Sequence, residues 1–264
     1  MHIPVFHVDA FTGRPFAGNP AAVCLLSSWL DDEMLRKVSA ENNLPATAFL
    51  VEQKSGFELR WFTPQCEIKL CGHATLAAGF VLLNSLRTDL KMVQFETRFR
   101  GSLTVRREDG RIVMDFPTYS HAACSKAPSD LGRALGLQRD PTDILEVNET
   151  FIAVLESEQA IKNVHPDFEL LRALHPYVVA VTAPSRDVDF ASRYFAPSYG
   201  VPEDAVTGSV HSALAPYWAK RLGKSHLHAK QLSERGGELW CEVVEDRVMM
   251  KGDAVLTLQG TLTV

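Results

Sequence analysis

The sequence predicts an α+β chain of two similar halves, each a set of strands enclosing one buried helix. Three recurrences predict it. Arg60-Trp61-Phe62-Thr63-Pro64 is echoed by Arg193-Tyr194-Phe195-Ala196-Pro197. Gly72-His73 opens the apolar segment ATLAAGFVLL, and Gly208-Ser209 opens VHSALAPYWA. GSLTVRREDGRIVM from Gly101 aligns without gaps against GELWCEVVEDRVMM from Gly237, at the same offset that separates Gly72 from Gly208. One such match is what any two strand–turn–strand sequences could give. Three in the same order point to a duplicated unit, and to two domains facing each other across a pseudo-twofold axis, 1–117 and 118–264, with the terminal strand free to cross to the first.

The elements follow in chain order. Strands are predicted at IPVFHVDAF, AAVCLL, TAFLVEQ, ELRWFT, MVQFETR, ETFIAVLES, YVVAVTAP and AVLTLQGTLTV, rich in β-branched and aromatic residues and bounded by Gly, Pro, Asn or Asp. Asp109-Gly110 between SLTVRRE and RIVMDF is a two-residue hairpin signal, and Asp246 holds the matching place in the second half. Asp31 caps a helix starting at Asp32, with Leu30 and Leu35 at the staple positions. Ser129 caps a short helix ending at Gly136. The helices after Gly72 and Gly208 are apolar almost all round, which means burial on every side; Pro216 must kink or shorten the second. The halves join within Pro117 to Pro128.

Composition narrows the function. The chain has 264 residues, 46% hydrophobic and 22% charged, which allows a sizeable core. A net charge of −5 without a Lys/Arg cluster argues against nucleic-acid binding. MHIPVFHVDAF has no basic region followed by an apolar stretch, so no secretory signal is expected. The longest apolar run, Ala74 to Leu83, is about half a membrane span. The 5 cysteines are scattered without CxxC spacing, as free thiols of a reducing cytoplasm. No HExxH occurs, His226 and His228 read as solvated surface, and neither a metal nor a cofactor is expected.

Chemistry concentrates at the two buried helix starts, because a helix N-terminus presents unpaired N–H groups and a positive dipole end. If the two starts face each other, they cradle a carboxylate. His73 and Thr75 flank one; Asp204, Thr207 and Ser209 flank the other. His73 and Asp204 are the acid/base candidates, and Ser209 can orient or donate a hydrogen bond. The plainer alternatives are that His73 caps its own helix and that Asp204 is a turn residue. Gly18-Asn19-Pro20 reads as a tight turn with Asn19 hydrogen bonding, either structural or lining the site. Cys71 is either a small buried residue or a thiol nucleophile; a two-thiol racemase would need a cysteine where the second half has Thr207.

DAFTGRPFAGNPAAV (9–23), NNLPATAFL (42–50), RWFTPQCEIKLCGHATLAA (60–78) and PEDAVTGSVHSALA (202–215) together resemble the PhzF-like family of isomerases and epimerases. The resemblance implies the diaminopimelate-epimerase-like fold: two domains, each a mostly antiparallel β-barrel round a central helix, with the site between them. It also implies a cytoplasmic homodimer in a biosynthetic process, without cofactor or metal. In the phenazine-biosynthesis members the reaction isomerises trans-2,3-dihydro-3-hydroxyanthranilate by moving a proton between ring carbons. By motif, His73, Asp204 and Ser209 carry over as catalytic residues, and Gly72, Gly208, Thr207, Asn19 and Ala46 as substrate-binding positions. One position departs. The family's stretch N-L-S-E-T-x-F, whose glutamate carries the proton, reads Asn43-Leu44-Pro45-Ala46-Thr47-Ala48-Phe49 here. Alanine cannot move a proton, and such a group contributes about 10²- to 10⁴-fold to rate. Glu41, five residues upstream, is expected to face away. Two function classes follow: an isomerase or epimerase on a small carboxylate-bearing substrate, or a non-catalytic homologue that binds one. A thiol-dependent racemase using Cys71 is a third, weaker reading.

Overall fold

The computed structural model describes residues 1–120, 122–124 and 127–264, with Ala122 and Ala123 described by backbone alone. The expected junction at Pro117 to Pro128 includes positions 121, 125 and 126, which lie outside the described residues. The chain divides into two units, 1–116 with 249–264, and 117–248.

The first unit runs β1 (His2–Ala10), β2 (Asn19–Leu26), α1 (Asp32–Asn42), β3 (Ala46–Gln53), β4 (Gly56–Phe62), β5 (Glu67–Ile68), α2 (Gly72–Val81), β6 (Met92–Thr97), β7 (Gly101–Glu108) and β8 (Arg111–Pro117). β1 pairs antiparallel with β2 and with the C-terminal strand Ala254–Thr263. Two pairings are parallel, β2 with β3 across α1 and β4 with β6 across α2. A parallel pair needs such a crossover, because a tight turn can only reverse the chain. β3 to β4, β6 to β7 and β7 to β8 are antiparallel. β3 has α1 and α2 both against it. Ala46 to Val51 are accordingly all buried, as in a strand covered on both faces.

The second unit follows the same plan. β9 (Ala122–Ala123), α3 (Leu131–Ala134), β10 (Asp143–Val147), β11 (Thr150–Val154), α4 (Glu158–Lys162), α5 (Phe168–Arg172), β12 (Val178–Pro184), β13 (Phe190–Phe195), α6 (Gly208–Leu222), β14 (His226–Gln231), β15 (Gly237–Val244) and β16 (Arg247–Gly252) succeed one another, β16 ending in residues of the first unit. β11 and β12 are parallel across α4 and α5, and β13 and β14 are parallel across α6. β12 to β13 and β14 to β15 are antiparallel.

Local chemistry explains the elements. Asp31 accepts the Met34 N–H at 2.7 Å, and Leu30 and Leu35 enter one cluster with Ile3, Val5, Phe49 and Phe62. Asp109 and Gly110 take φ of 50° and 81°, the left-handed pair that a two-residue hairpin needs. At Gly79 α2 packs tightly on β7: a Cβ there would lie 2.4 Å from Cγ1 of Val105.

Three expectations need correction. The short helix starts at Leu131, capped in backbone terms by Asp130 rather than by Ser129; the Asp130 carboxylate pairs with Arg133 at 3.0 Å. Pro216 does not shorten α6, which runs on to Leu222. Proline removes the N–H that the Ser212 carbonyl would receive, and the Tyr119 N–H donates to it instead at 2.9 Å. His228 is not solvated surface. It stacks on its cross-strand partner Trp240 at 4.7 Å and its Nε2 lies 3.0 Å from Glu238.

Among the described residues, no helix is long and apolar enough to cross a membrane.

Candidate active site

Each unit places a fixed polar constellation at the start of its buried helix. In the first, α2 begins at Gly72 with Cys71 as N-cap in extended conformation. The Thr75 hydroxyl donates to the Cys71 carbonyl at 2.6 Å, which ties the first turn without consuming an N–H of that turn. His73 is buried and receives Asn19 Nδ2 on its Nδ1 at 3.2 Å. The Cys71 thiol lies 3.5 Å from the same nitrogen and 3.7 Å from Nε2. His73 is thus held from the side by β2 and by the residue before the helix.

Backbone geometry puts Asn19 where it is. Gly18 has φ 64°, and a Cβ there would stand 2.1 Å from the Ala10 carbonyl oxygen, so only glycine fits. Asn19 then enters β2 opposite Ala10, fully buried, with its amide nitrogen turned to His73. The preceding loop is pinned by buried Asp9, which accepts the Phe16 N–H at 2.7 Å, and by Thr12, which accepts the Arg14 N–H at 3.1 Å.

Ala46 is the first residue of β3, fully buried and registered against Ala21 of β2, two residues past Asn19. Asn43 ends α1 in the left-handed conformation, φ 50°. Asn42 donates to the Thr47 hydroxyl at 3.2 Å, as Ser39 does, so the turn before Ala46 is fixed. Glu41 is exposed on α1.

In the second unit, the Thr207 hydroxyl donates to Asp204 Oδ2 at 2.6 Å. Gln231, fully buried on β14, accepts the Thr207 N–H at 2.9 Å and donates through Nε2 to the Asp204 carbonyl at 2.8 Å and to the Thr207 hydroxyl at 3.2 Å. The Asp204 N–H donates to the Tyr194 carbonyl at 2.9 Å. The Asp204 backbone is thus tied at both ends, and its carboxylate is held by Thr207. Gly208 is buried and begins α6, while Ser209 beside it is exposed. One turn on, His211 donates Nδ1–H to the Thr207 carbonyl at 2.7 Å, and complete burial pushes its pKa down to about 4, so its ring is neutral.

The structure brings Asn19 to His73 and Thr207 to Asp204; sequence reasoning groups Asp204 with Thr207 and leaves Asn19 either structural or lining the site. It missed Gln231 and His211. His211 had a signal, four residues after Thr207 on a predicted helix; Gln231 had none, since its partners lie 24 and 27 residues away. Among the described residues, no cluster of three or more His, Cys, Asp and Glu could hold a metal ion.

The model of the phenazine biosynthesis-like (PhzC-PhzF) family matches residues 8–260. A Pseudomonas aeruginosa protein described as an uncharacterized isomerase is 47% identical over 262 residues, 99% of each chain. A Bos taurus phenazine biosynthesis-like domain-containing protein is 40% identical over 297 residues and covered in full, as is this chain. The crystal structure of a PhzF-family protein of Enterococcus faecalis superposes with a TM-score of 0.95 at 40% identity, over 100% of both chains. Duplicated topology, the two helix starts and these likenesses agree: the chain belongs to the phenazine biosynthesis-like (PhzC-PhzF) family.

Proposed function

We propose that this protein is an isomerase or epimerase that moves a proton on a small carboxylate-bearing substrate, in the manner of the diaminopimelate-epimerase-like enzymes. Uncharacterized isomerases among its relatives support the reaction class. A helix start leaves its first N–H groups unpaired within the helix. The single observation that carries the reading is that each buried helix start has one titratable side chain locked beside it: His73 by Asn19, Asp204 by Thr207. In this reading His73 and Asp204 transfer the proton and Ser209 assists. The N–H groups at Gly72 and Gly208 hold the carboxylate, and Thr207, its own N–H given to Gln231, serves through its hydroxyl. An anion at a helix start gains roughly 0.3–2 kcal/mol from the dipole alone. With Asn19 donating to Nδ1, the proton of a neutral His73 sits on Nε2, which makes it the acid end of the ring. The protein works as a cytoplasmic homodimer without cofactor.

The missing glutamate favours a second reading. Ala46 is an apolar, fully buried residue at the strand start where the family carries its proton donor, so a homologue that binds a small carboxylate without turning it over fits the same cradle.

Incubation with trans-2,3-dihydro-3-hydroxyanthranilate in D₂O, following absorbance and deuterium incorporation, separates the two. Turnover or exchange by the native protein supports the enzyme and excludes the binder. Silence from the native protein with activity from Ala46→Glu supports the binder. Silence from both sinks this substrate.

A further inference from the structure

Both repeats contain an arginine–glutamate fork that no motif reading assigned. Arg60 opens the first recurring pentapeptide and Arg193 opens the second. Arg60 donates from Nε and Nη2 to the two carboxylate oxygens of Glu67, both at 2.7 Å. Arg193 does the same to Glu203, at 2.8 and 2.9 Å. Each guanidinium also lies over the phenylalanine two residues on, Phe62 at 5.1 Å and Phe195 at 4.9 Å. Side-chain exposure is 12% and 14% in the first pair, 13% and 20% in the second.

The glutamates occupy one repeat position. Glu67 stands five residues before Gly72, and Glu203 five residues before Gly208, although the two arginines stand at unequal distances from their glutamates. The extra residues of the second half lie between arginine and glutamate, so the fork survives a change in the loop it spans. A surface ion pair would have no reason to keep such a register.

We propose that Arg60 and Arg193 are positioning residues, each setting the loop that delivers a buried helix start to the substrate; this rests on the function proposed above. Glu203 adjoins Asp204, whose own N–H is taken by the residue after Arg193, so the fork and the backbone bond together set where Asp204 begins. Arg193 also donates to the carbonyls of Ile161 and Val164, at 3.3 and 2.9 Å, at the end of α4 and just beyond it. Arg60 reaches Asp32 at the start of α1, at 2.7 Å. Each arginine thus ties loop, strand and crossover helix into one frame. A bidentate fork is suited to this, because two parallel bonds define an orientation where one defines only a distance. Each arginine acts through the loop rather than on the reacting atoms.

The test compares Arg193→Met, Arg193→Lys, Glu203→Gln and Arg60→Met with the native protein. It uses deuterium wash-in kinetics, hydrogen exchange of peptides covering 202–210 and 67–75, and thermal melting. Methionine keeps much of the apolar stem over the ring while removing the fork. Arg193→Met is expected to lower kcat about 10- to 100-fold, the cost of misplacing a reacting group by roughly 1 Å. KM should move less than about threefold, and faster exchange should be confined to 202–210. Arg193→Lys, with charge but no fork, should fall between. Glu203→Gln, which leaves the guanidinium without its charged partner, should resemble Arg193→Met. Arg60→Met should act on 67–75 instead. Folded variants with native kcat and native exchange would overturn the proposal. So would a kcat loss accompanied by faster exchange throughout, which marks a merely structural role. If the native protein turns nothing over, the function reading has failed while the fork is still judged: faster exchange limited to the two loops supports it, and unchanged or global exchange overturns it.

Discussion

Thr207 donates its hydroxyl to the carboxylate of Asp204 at 2.6 Å while Gln231 holds Thr207 from behind. A hydrogen bond to a charged acceptor contributes about 1.5–3 kcal/mol, and this one sits at a partly exposed carboxylate, so the lower end applies. Thr207→Val should cost about 1–2 kcal/mol in denaturant unfolding and lower kcat at least about tenfold, while Thr207→Ser keeps both near native. A serine variant that loses as much as the valine variant would overturn this, because serine keeps the hydroxyl and lacks only the methyl.

Burial of His211 sets an acid limit on stability. Its folded pKa is pushed down to about 4, from an ordinary value of 6.5, by desolvation. Below 6.5 the unfolded chain takes up a proton that the folded one refuses until near 4. Stability is therefore full above the unfolded value and falls as pH drops through that window, by about 3 kcal/mol in all. His7, also held low by burial, acts in the same direction. Urea unfolding from neutral pH down to about pH 4 should show the slope, and His211→Phe should flatten much of it. An unchanged slope in that variant would place the limb elsewhere.

The approach of α2 to β7 leaves no room at Gly79. Alanine has the better helix propensity by about 1 kcal/mol, but its Cβ would sit 2.4 Å from Val105 Cγ1, and overpacking of this kind costs about 1–3 kcal/mol. Gly79→Ala should be net destabilising in thermal melts, and Val105→Ala should restore part of the loss in the double variant. Additive losses would mean the two sites do not share this contact.

Thiol labelling should sort the cysteines by burial. Cys24 and Cys241 are buried, and desolvation pushes both thiols up to about 12. Cys66 is exposed. Because the thiolate is the nucleophile, iodoacetamide at mildly alkaline pH should modify Cys66 first and leave Cys24 and Cys241 intact until the chain unfolds, as read by peptide mass spectrometry. Cys71→Ser in the deuterium assay tests the thiol racemase reading: retained exchange excludes it.

The duplication, the capped helix at Asp31, the Asp109-Gly110 turn and the two buried helices are legible along the chain. These are local or periodic properties, carried by spacing along the chain. Four features come from the fold and not from spacing: Asn19 turns to His73, Gln231 locks Asp204 to Thr207, Tyr119 supplies the bond Pro216 removes, and two arginines grip glutamates at matching places. Each of these depends on a side chain meeting a partner that the chain path brings from another element, often dozens of residues away. A hydrogen bond needs its partner within about 3 Å, and no periodicity in sequence encodes that distance.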